Sequence, residues 1–125
     1  YDILKNRQMY IFSEQLNELR TLDDNKIDLV ITDGSLINSI VYSKEDNPHF
    51  NDLVLYEFNK YENLTYYLKR ETNYQTSGRR QDINGALKVD EQTLNTFEKF
   101  NIDYKEVGLK NSKDIILKDI LKNFL

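Results

Sequence analysis

The apolar residues of this chain follow two spacings that alternate along it. In five stretches, apolar residues recur three or four positions apart, which predicts amphipathic helices. These stretches are residues 4–22, 35–42, 51–61, 83–100 and 112–125. Between them lie short apolar or aromatic runs, which are typical of strands. These runs are Leu29–Thr32, Leu64–Leu68 and Tyr104–Val107. Strands that alternate with helices predict a mainly parallel sheet flanked by helices, an α/β fold.

The same pattern predicts how some helices begin and which faces they bury. Asn51 or Asp52 is expected to cap the third helix, and Ser112 the last one. Asp114 then lies in the first turn of the last helix, where a negative charge suits the helix dipole. Gln15 interrupts the apolar stripe of the first helix. The expected buried residues are Leu4, Tyr10 or Ile11, Leu19, Leu22, Leu53, Val54, Tyr56 or Leu55, Phe58, Leu87, Leu94, Phe97, Phe100, Ile115, Ile116, Ile120, Leu121, Phe124 and Leu125.

Length and composition narrow the class of protein. With 125 residues, the chain is expected to form a single domain over residues 1–125. It has no cysteine, which excludes disulfides and thiolate metal sites and fits a reducing cytoplasm. The net charge is −4, with acidic and basic residues interspersed, so no general nucleic-acid surface is expected. No apolar run reaches the roughly 18 residues of a membrane span, so no membrane association is expected.

Three ordered stretches carry a resemblance that covers nearly the whole chain. They are Asn6-Arg7-Gln8 with Tyr10-Ile11-Phe12 and Gln15-Leu16; the run from Asp28 to Leu36; and Phe50 to Val54 with Leu68-Lys69-Arg70, Tyr74 and Gly78-Arg79-Arg80-Gln81. Together they resemble P-loop nucleoside and nucleotide kinases, especially the phage-type ATP-binding proteins related to the ribosylnicotinamide kinase domain. This resemblance implies a three-layer P-loop kinase-like parallel sheet flanked by helices and incomplete at its N-terminus.

The resemblance also implies roles for individual residues. Asp33 follows an apolar run that resembles a Walker B strand, so it would help to place Mg²⁺, directly or through water. The segment of about residues 69–85 resembles a lid whose cations neutralise the transferring phosphate. The implied lid cations are Lys69, Arg70, Arg79 and Arg80. The implied residues of the acceptor site are Arg7, Gln8 and Gln15, with Lys69 as a further substrate-binding residue.

Two departures from the family's pattern affect the expected activity. No G-x-x-x-x-G-K-[ST] motif is present, and Gly34-Ser35 stands where related sequences tend to have Ser-Pro. Because the phosphate loop supplies much of the ATP binding, this chain alone is expected neither to bind ATP and Mg²⁺ tightly nor to show kinase activity. The family's central strand would come from this missing part. A segment before Tyr1, or a strand from a protein partner, is therefore expected to complete the sheet.

The leading hypothesis is thus an ATP-dependent phosphotransferase that acts on a nucleoside, nucleotide or similar small acceptor once joined to its P-loop segment. The alternatives are a non-catalytic domain that binds a protein, such as a phage-encoded protein capturing a factor in the host cytoplasm, and a structural remnant. Individual residues also have plainer interpretations. Asp33 fits a helix cap, the lid cations fit a solvated loop, and Gln8 and Gln15 fit a polar helix surface. His49 is interpreted as structural or incidental.

Overall fold

The chain combines helices with a parallel sheet, so its general α/β class is confirmed. The computed structural model describes residues 7–43, 46–69 and 80–124, with side chains from residue 84 onward in the last range. The chain divides into two compact units, Tyr1–Asn63 and Leu64–Leu125. The elements of the first unit are helices α1 (Gln8–Asp24), α2 (Asn38–Tyr42) and α3 (Pro48–Phe58). Those of the second are strand β1 (Tyr66–Lys69), helix α4 (Arg80–Lys99), strand β2 (Lys105–Gly108) and helix α5 (Ser112–Phe124).

The core of the first unit forms where the three helices meet. The Phe12 ring from α1 meets the Phe50 ring from α3 edge to face, with centroids 5.7 Å apart. Ile37 and Val54 are completely excluded from solvent. The apolar residues buried in this unit are Phe12, Leu16, Leu36, Ile37, Phe50, Val54 and Phe58. Most of them come from helices, so this unit is held together by helix packing.

Local hydrogen bonds explain where these helices begin and end. The Asn47 side chain accepts hydrogen bonds from the backbone N–H groups of His49 and Phe50, and Pro48 occupies the first turn of α3. The prediction that Asn51 or Asp52 caps this helix is therefore wrong. At the end of α1, Lys26 adopts a left-handed φ of 58°. The N–H groups of Lys26 and Ile27 then bond back to the helix, which closes it as a Schellman motif.

The strand predicted at Leu29–Thr32 is not formed. These residues have no regular secondary structure and are exposed to solvent. A β-branched apolar run favours a strand only when a neighbouring strand satisfies its backbone groups, and the described residues supply none here. The prediction of three strands is therefore wrong for the described part of the chain, which contains a sheet of two.

The second unit is a β-α-β-α arrangement. Strands β1 and β2 pair in parallel, with Tyr66 opposite Lys105 and Leu68 opposite Val107. Helix α4 connects them and ends in another Schellman motif, in which Asn101 has a φ of 54° and the Ile102 N–H bonds to the Phe97 carbonyl. Both predicted strands of this unit are confirmed to within a residue or two at each end, as is their parallel direction.

Several predicted burial and capping residues need correction. On α1 the buried residues are Gln8, Phe12 and Leu16, whereas Tyr10 and Leu22 are exposed. Ser112 is the first residue of α5, and its hydroxyl donates to the Leu109 carbonyl rather than capping the helix. Asp114 lies in the first turn as predicted. Other predicted core residues that are exposed are Leu53, Tyr56, Leu87, Leu121 and Phe124.

Candidate functional site

The structure brings Gln15 of the implied acceptor site to the turn that carries Asp33. The Gln15 amide Nε2 donates to the Gly34 carbonyl at 2.7 Å, and this contact is partly buried. It fixes the turn against α1, so Gln15 has a structural role whatever else it does. Asp33 itself is exposed and lies in a bend, not at the end of a strand as the sequence predicted.

Asp33 does not cap α2 either. The Ser35 hydroxyl accepts a hydrogen bond from the Ile37 N–H at 3.2 Å, and a turn of backbone bonds from Asn38, Ser39 and Ile40 leads into the helix. The Asp33 carboxylate is therefore not used by the helix cap and faces water.

The other implied acceptor-site residues lie at the start of α1. Arg7 is exposed at the N-terminal end of the helix, and its carbonyl accepts the Ile11 N–H at 3.0 Å. Gln8 is only 8% exposed and faces the same side as Phe12 and Leu16, into the unit's core. The role that the resemblance implies for Gln8 stays a prediction, whereas its burial contradicts the plainer interpretation of Gln8 as part of a polar helix surface.

The implied lid begins at the carboxyl end of β1. Lys69 is the last residue of this strand and forms an ion pair with Glu106 at 3.1 Å, with 58% of its side chain exposed. Arg70 and Arg79 lie outside the described residues, as do the side-chain contacts of Arg80, the first residue of α4. The phosphate-binding roles that the resemblance implies for these arginines stay predictions.

A polar cluster that the sequence analysis missed ties the sheet to α5. The Tyr66 hydroxyl donates to Asp119 Oδ2 at 2.7 Å, and the Lys105 ammonium donates to the same oxygen at 2.9 Å. Partial burial, together with the hydrogen bond to Asp119 and its negative charge, raises the pKa of Tyr66 to about 12. The hydrogen bonds from Tyr66 and then Lys105 hold the pKa of Asp119 below its ordinary value. These residues are 53 and 14 positions from Asp119, so no local motif signals them.

This cluster gives the fold a specific alkaline sensitivity. The raised pKa of Tyr66 means that its contribution to stability is fully present below pH 10 and is lost as the pH rises toward 12. The lowered pKa of Asp119 has the opposite consequence, since its contribution to stability is present above its ordinary pKa and is lost on acidification.

We expect Tyr66→Phe to reduce the loss of the free energy of unfolding at alkaline pH, measured by urea titration at a series of pH values. Tyr56→Phe, at an exposed tyrosine of α3, is the control, and an unchanged profile in Tyr66→Phe would contradict the assignment.

A buried carboxylate in the first unit also escaped the sequence analysis. The Glu57 side chain is 7% exposed and lies 2.9 Å from Arg20 of α1 and 3.2 Å from Lys60. The two cations are themselves half exposed, with 56% and 45% of their side chains accessible. A buried charge is normally paired, and a carboxylate with two cations within 4 Å is typical of a structural ion pair. We therefore interpret Glu57 as the ion-pair link between α1 and α3.

Neither a metal centre nor a known relative identifies the site. Among the described side chains, no group of three or more histidines or carboxylates could hold a metal ion. No helix in the described ranges is long and apolar enough to cross a membrane. Comparisons with protein-family models, curated proteins and solved structures found no match. The chemistry of the chain's own residues is therefore what bears on its function.

Proposed function

We propose that this chain is the C-terminal part of a P-loop nucleoside or nucleotide kinase-like protein. Together with a phosphate-loop segment that the chain does not contain, it would transfer the γ-phosphate of ATP to a nucleoside, nucleotide or similar small acceptor. The observation that carries the proposal is the parallel pairing of β1 with β2 through the intervening helix α4. Open parallel sheets bind their ligands outside the carboxyl ends of the strands. Here the carboxyl end of β1 leads directly into the basic segment that holds Lys69, Arg70, Arg79 and Arg80.

The roles follow from the charges. Arg70, Arg79 and Arg80 would neutralise the phosphates, with Lys69 as support. Arginine suits this role because one guanidinium group can donate hydrogen bonds to two phosphate oxygens at once. Asp33, held in place through the bond from Gln15 to Gly34, would contact Mg²⁺ directly or through water. The chain lacks the glycine-rich backbone cradle that binds ATP tightly in such enzymes. We therefore expect it to contact phosphate only weakly when alone.

Phosphate binding by the basic segment can be tested on the chain as it stands. We expect a ³¹P NMR titration of ATP with Mg²⁺ to show broadening of the β- and γ-phosphate resonances, with a dissociation constant in the millimolar range. Replacing Arg79 and Arg80 together by alanine should weaken this binding at least about fivefold, since one charge-assisted hydrogen bond contributes about 1.5 kcal/mol or more. The matched control replaces Lys88 and Lys110, two exposed lysines elsewhere in the second unit. Equal loss in both double variants, or no broadening at all, would contradict the proposal.

A second candidate function, a non-catalytic protein-binding domain, is supported by a different observation. Leu29, Val30 and Ile31 expose 42%, 39% and 74% of their surface in the first unit. Exposed single apolar residues are ordinary, but adjacent ones in a segment without secondary structure are typical of an interaction surface. This candidate needs neither a phosphate loop nor a nucleotide. Binding of ATP that depends on Arg79 and Arg80 would favour the kinase-like function over it.

A further inference from the structure

The segment Asp28–Asp33 leaves a continuous row of backbone groups available to a partner. In the described part of the chain, residues 28–33 form no backbone hydrogen bond to another residue; the helical bonds end with the Ile27 N–H, and the next turn begins at Ser35. Such a row is what an added strand uses when it binds by β-augmentation. Ordered segments normally avoid leaving their backbone and apolar side chains exposed together.

The side chains of this segment suit burial on both faces of a sheet. Alternate residues of a strand point to opposite sides, so Leu29 and Ile31 would face one side and Val30 the other. Valine and isoleucine are residues that favour strands. The segment thus has a strand's side-chain pattern and free backbone groups, but the described residues provide no strand beside it.

The charges around the segment select the partner. Asp28 and Asp33 stand at its two ends, and Asp23 and Asp24 lie close by in the chain, with Lys26 as the single intervening cation. All of these residues are exposed. Antiparallel pairing of two copies about the centre of the segment would set Asp28 of each copy opposite Asp33 of the other. Like charges directly opposite each other destabilise a strand pair, so a second copy is disfavoured.

We propose that Asp28–Asp33 is a docking edge for an extended segment of another polypeptide, with apolar residues at its centre and Lys or Arg at both ends. This inference rests on the protein-binding candidate function and names the class of partner. Main-chain hydrogen bonds stabilise the complex, and attraction between Asp28 and Asp33 and the partner's terminal cations makes a segment with cationic ends bind more tightly than one with acidic ends.

The test uses the full chain and two fluorescent ten-residue peptides with the same alternating Val-Thr centre. One peptide carries Lys-Arg at both ends and the other carries Glu-Asp. We expect fluorescence anisotropy to show at least about tenfold tighter binding of the cationic peptide at low salt, with the preference shrinking at about 0.5 M NaCl because exposed charges are then screened. Hydrogen exchange should slow on binding at alternate amides, either that of Val30 or those of Leu29 and Ile31, because successive N–H groups of a strand point to opposite edges.

Proline and asparagine variants separate backbone pairing from charge. Val30→Pro and Ile31→Pro remove backbone donors from opposite edges of the segment, so the one on the paired edge should abolish binding, whereas Glu62→Pro, in another exposed loop, should not. Replacing Asp28 and Asp33 by asparagine should reduce the preference for the cationic peptide at least threefold, while Asp103→Asn leaves it unchanged. Circular dichroism confirms that each variant is folded.

The alternative outcomes separate this inference from the function on which it rests. A dimer that Val30→Pro or Ile31→Pro abolishes would preserve the segment as an interaction surface but overturn the cationic partner. Equal binding of both peptides would likewise keep the segment as an interaction surface and overturn the preference for a cationic partner. Failure of both peptides to bind the folded chain, with fast exchange at all three amides and no dimer, would overturn the inference and remove the support for the protein-binding candidate.

Discussion

Replacing Phe50 by alanine is expected to lower the free energy of unfolding by about 4 kcal/mol, the largest effect that we anticipate for a single substitution in this chain. Phe50 is 6% exposed and contacts the Phe12 ring edge to face at an interplanar angle of 83°. The substitution removes the buried ring, leaves a cavity between α1 and α3, and deletes an aromatic pair that contributes about 1 kcal/mol beyond its buried area. Because a small domain is stable by only about 5–15 kcal/mol, this variant should unfold at a much lower urea concentration.

The control for Phe50→Ala lies on the same helix. Tyr56 is also an aromatic residue of α3, but it is 62% exposed. Tyr56→Ala should therefore lower stability by no more than about 1 kcal/mol, the size of the contact between its ring and the Lys60 ammonium 4.6 Å away. The two variants are compared by urea unfolding followed by circular dichroism. Similar midpoints for both variants would show that the contact between Phe12 and Phe50 does not support the fold of the first unit.

Removing both cations beside Glu57 is expected to cost about 3 kcal/mol. The Glu57 carboxylate lies 2.9 Å from Arg20 and 3.2 Å from Lys60, and its own side chain is 7% exposed. When Arg20 and Lys60 are both replaced by methionine, the aliphatic stems are kept but a buried negative charge loses both partners. Either single substitution should cost less, because the remaining cation still compensates the carboxylate. The measurement is again urea unfolding at neutral pH.

A third substitution tests the reason for that loss. Glu57→Gln keeps the shape of the side chain and removes its charge, so adding it to the double methionine variant should restore part of the lost stability. In the otherwise unchanged chain, Glu57→Gln leaves Arg20 and Lys60 half exposed to water, where their charges are solvated. Its effect should then be smaller than that of the double methionine variant. If Glu57→Gln gives no recovery in the double variant, the loss does not come from an uncompensated buried charge.

Much of the secondary structure could be predicted because its signals are local. Apolar spacing placed helices near α1, α3, α4 and α5, each within a few residues of the observed bounds. The aromatic run that includes Tyr66 and the run that includes Val107 gave the two observed strands. Predictions of which of several neighbouring residues is buried were wrong more often. On α1, Phe12 and Leu16 are buried whereas Tyr10 is not, and that choice depends on where α2 and α3 pack rather than on spacing along α1.

The functional roles that the sequence assigned to the candidate-site residues stay predictions. Sequence reasoning selected Gln15 and Asp33, and the structure links Gln15 to the turn after Asp33 through the Gly34 carbonyl. It also selected Gln8, whose side chain is buried and whose role as a ligand-contacting residue stays a prediction. The cluster of Tyr66, Lys105 and Asp119 could not be predicted, because its members come from separate elements and meet only once α5 lies against the sheet.

The sequence by itself determined the order of the helices and of the two strands that form, the parallel β-α-β connection of the second unit and the concentration of cations after β1, because each depends on residues close together in the chain. Only the tertiary structure decided that Leu29–Thr32 forms no strand. The same apolar run suits a buried strand or an exposed binding segment, and the difference is whether another strand satisfies its backbone hydrogen bonds. The tertiary structure likewise decided that Glu57 is buried beside Arg20, 37 residues away, since a charged residue on a helix becomes buried only when another helix covers it with a partner.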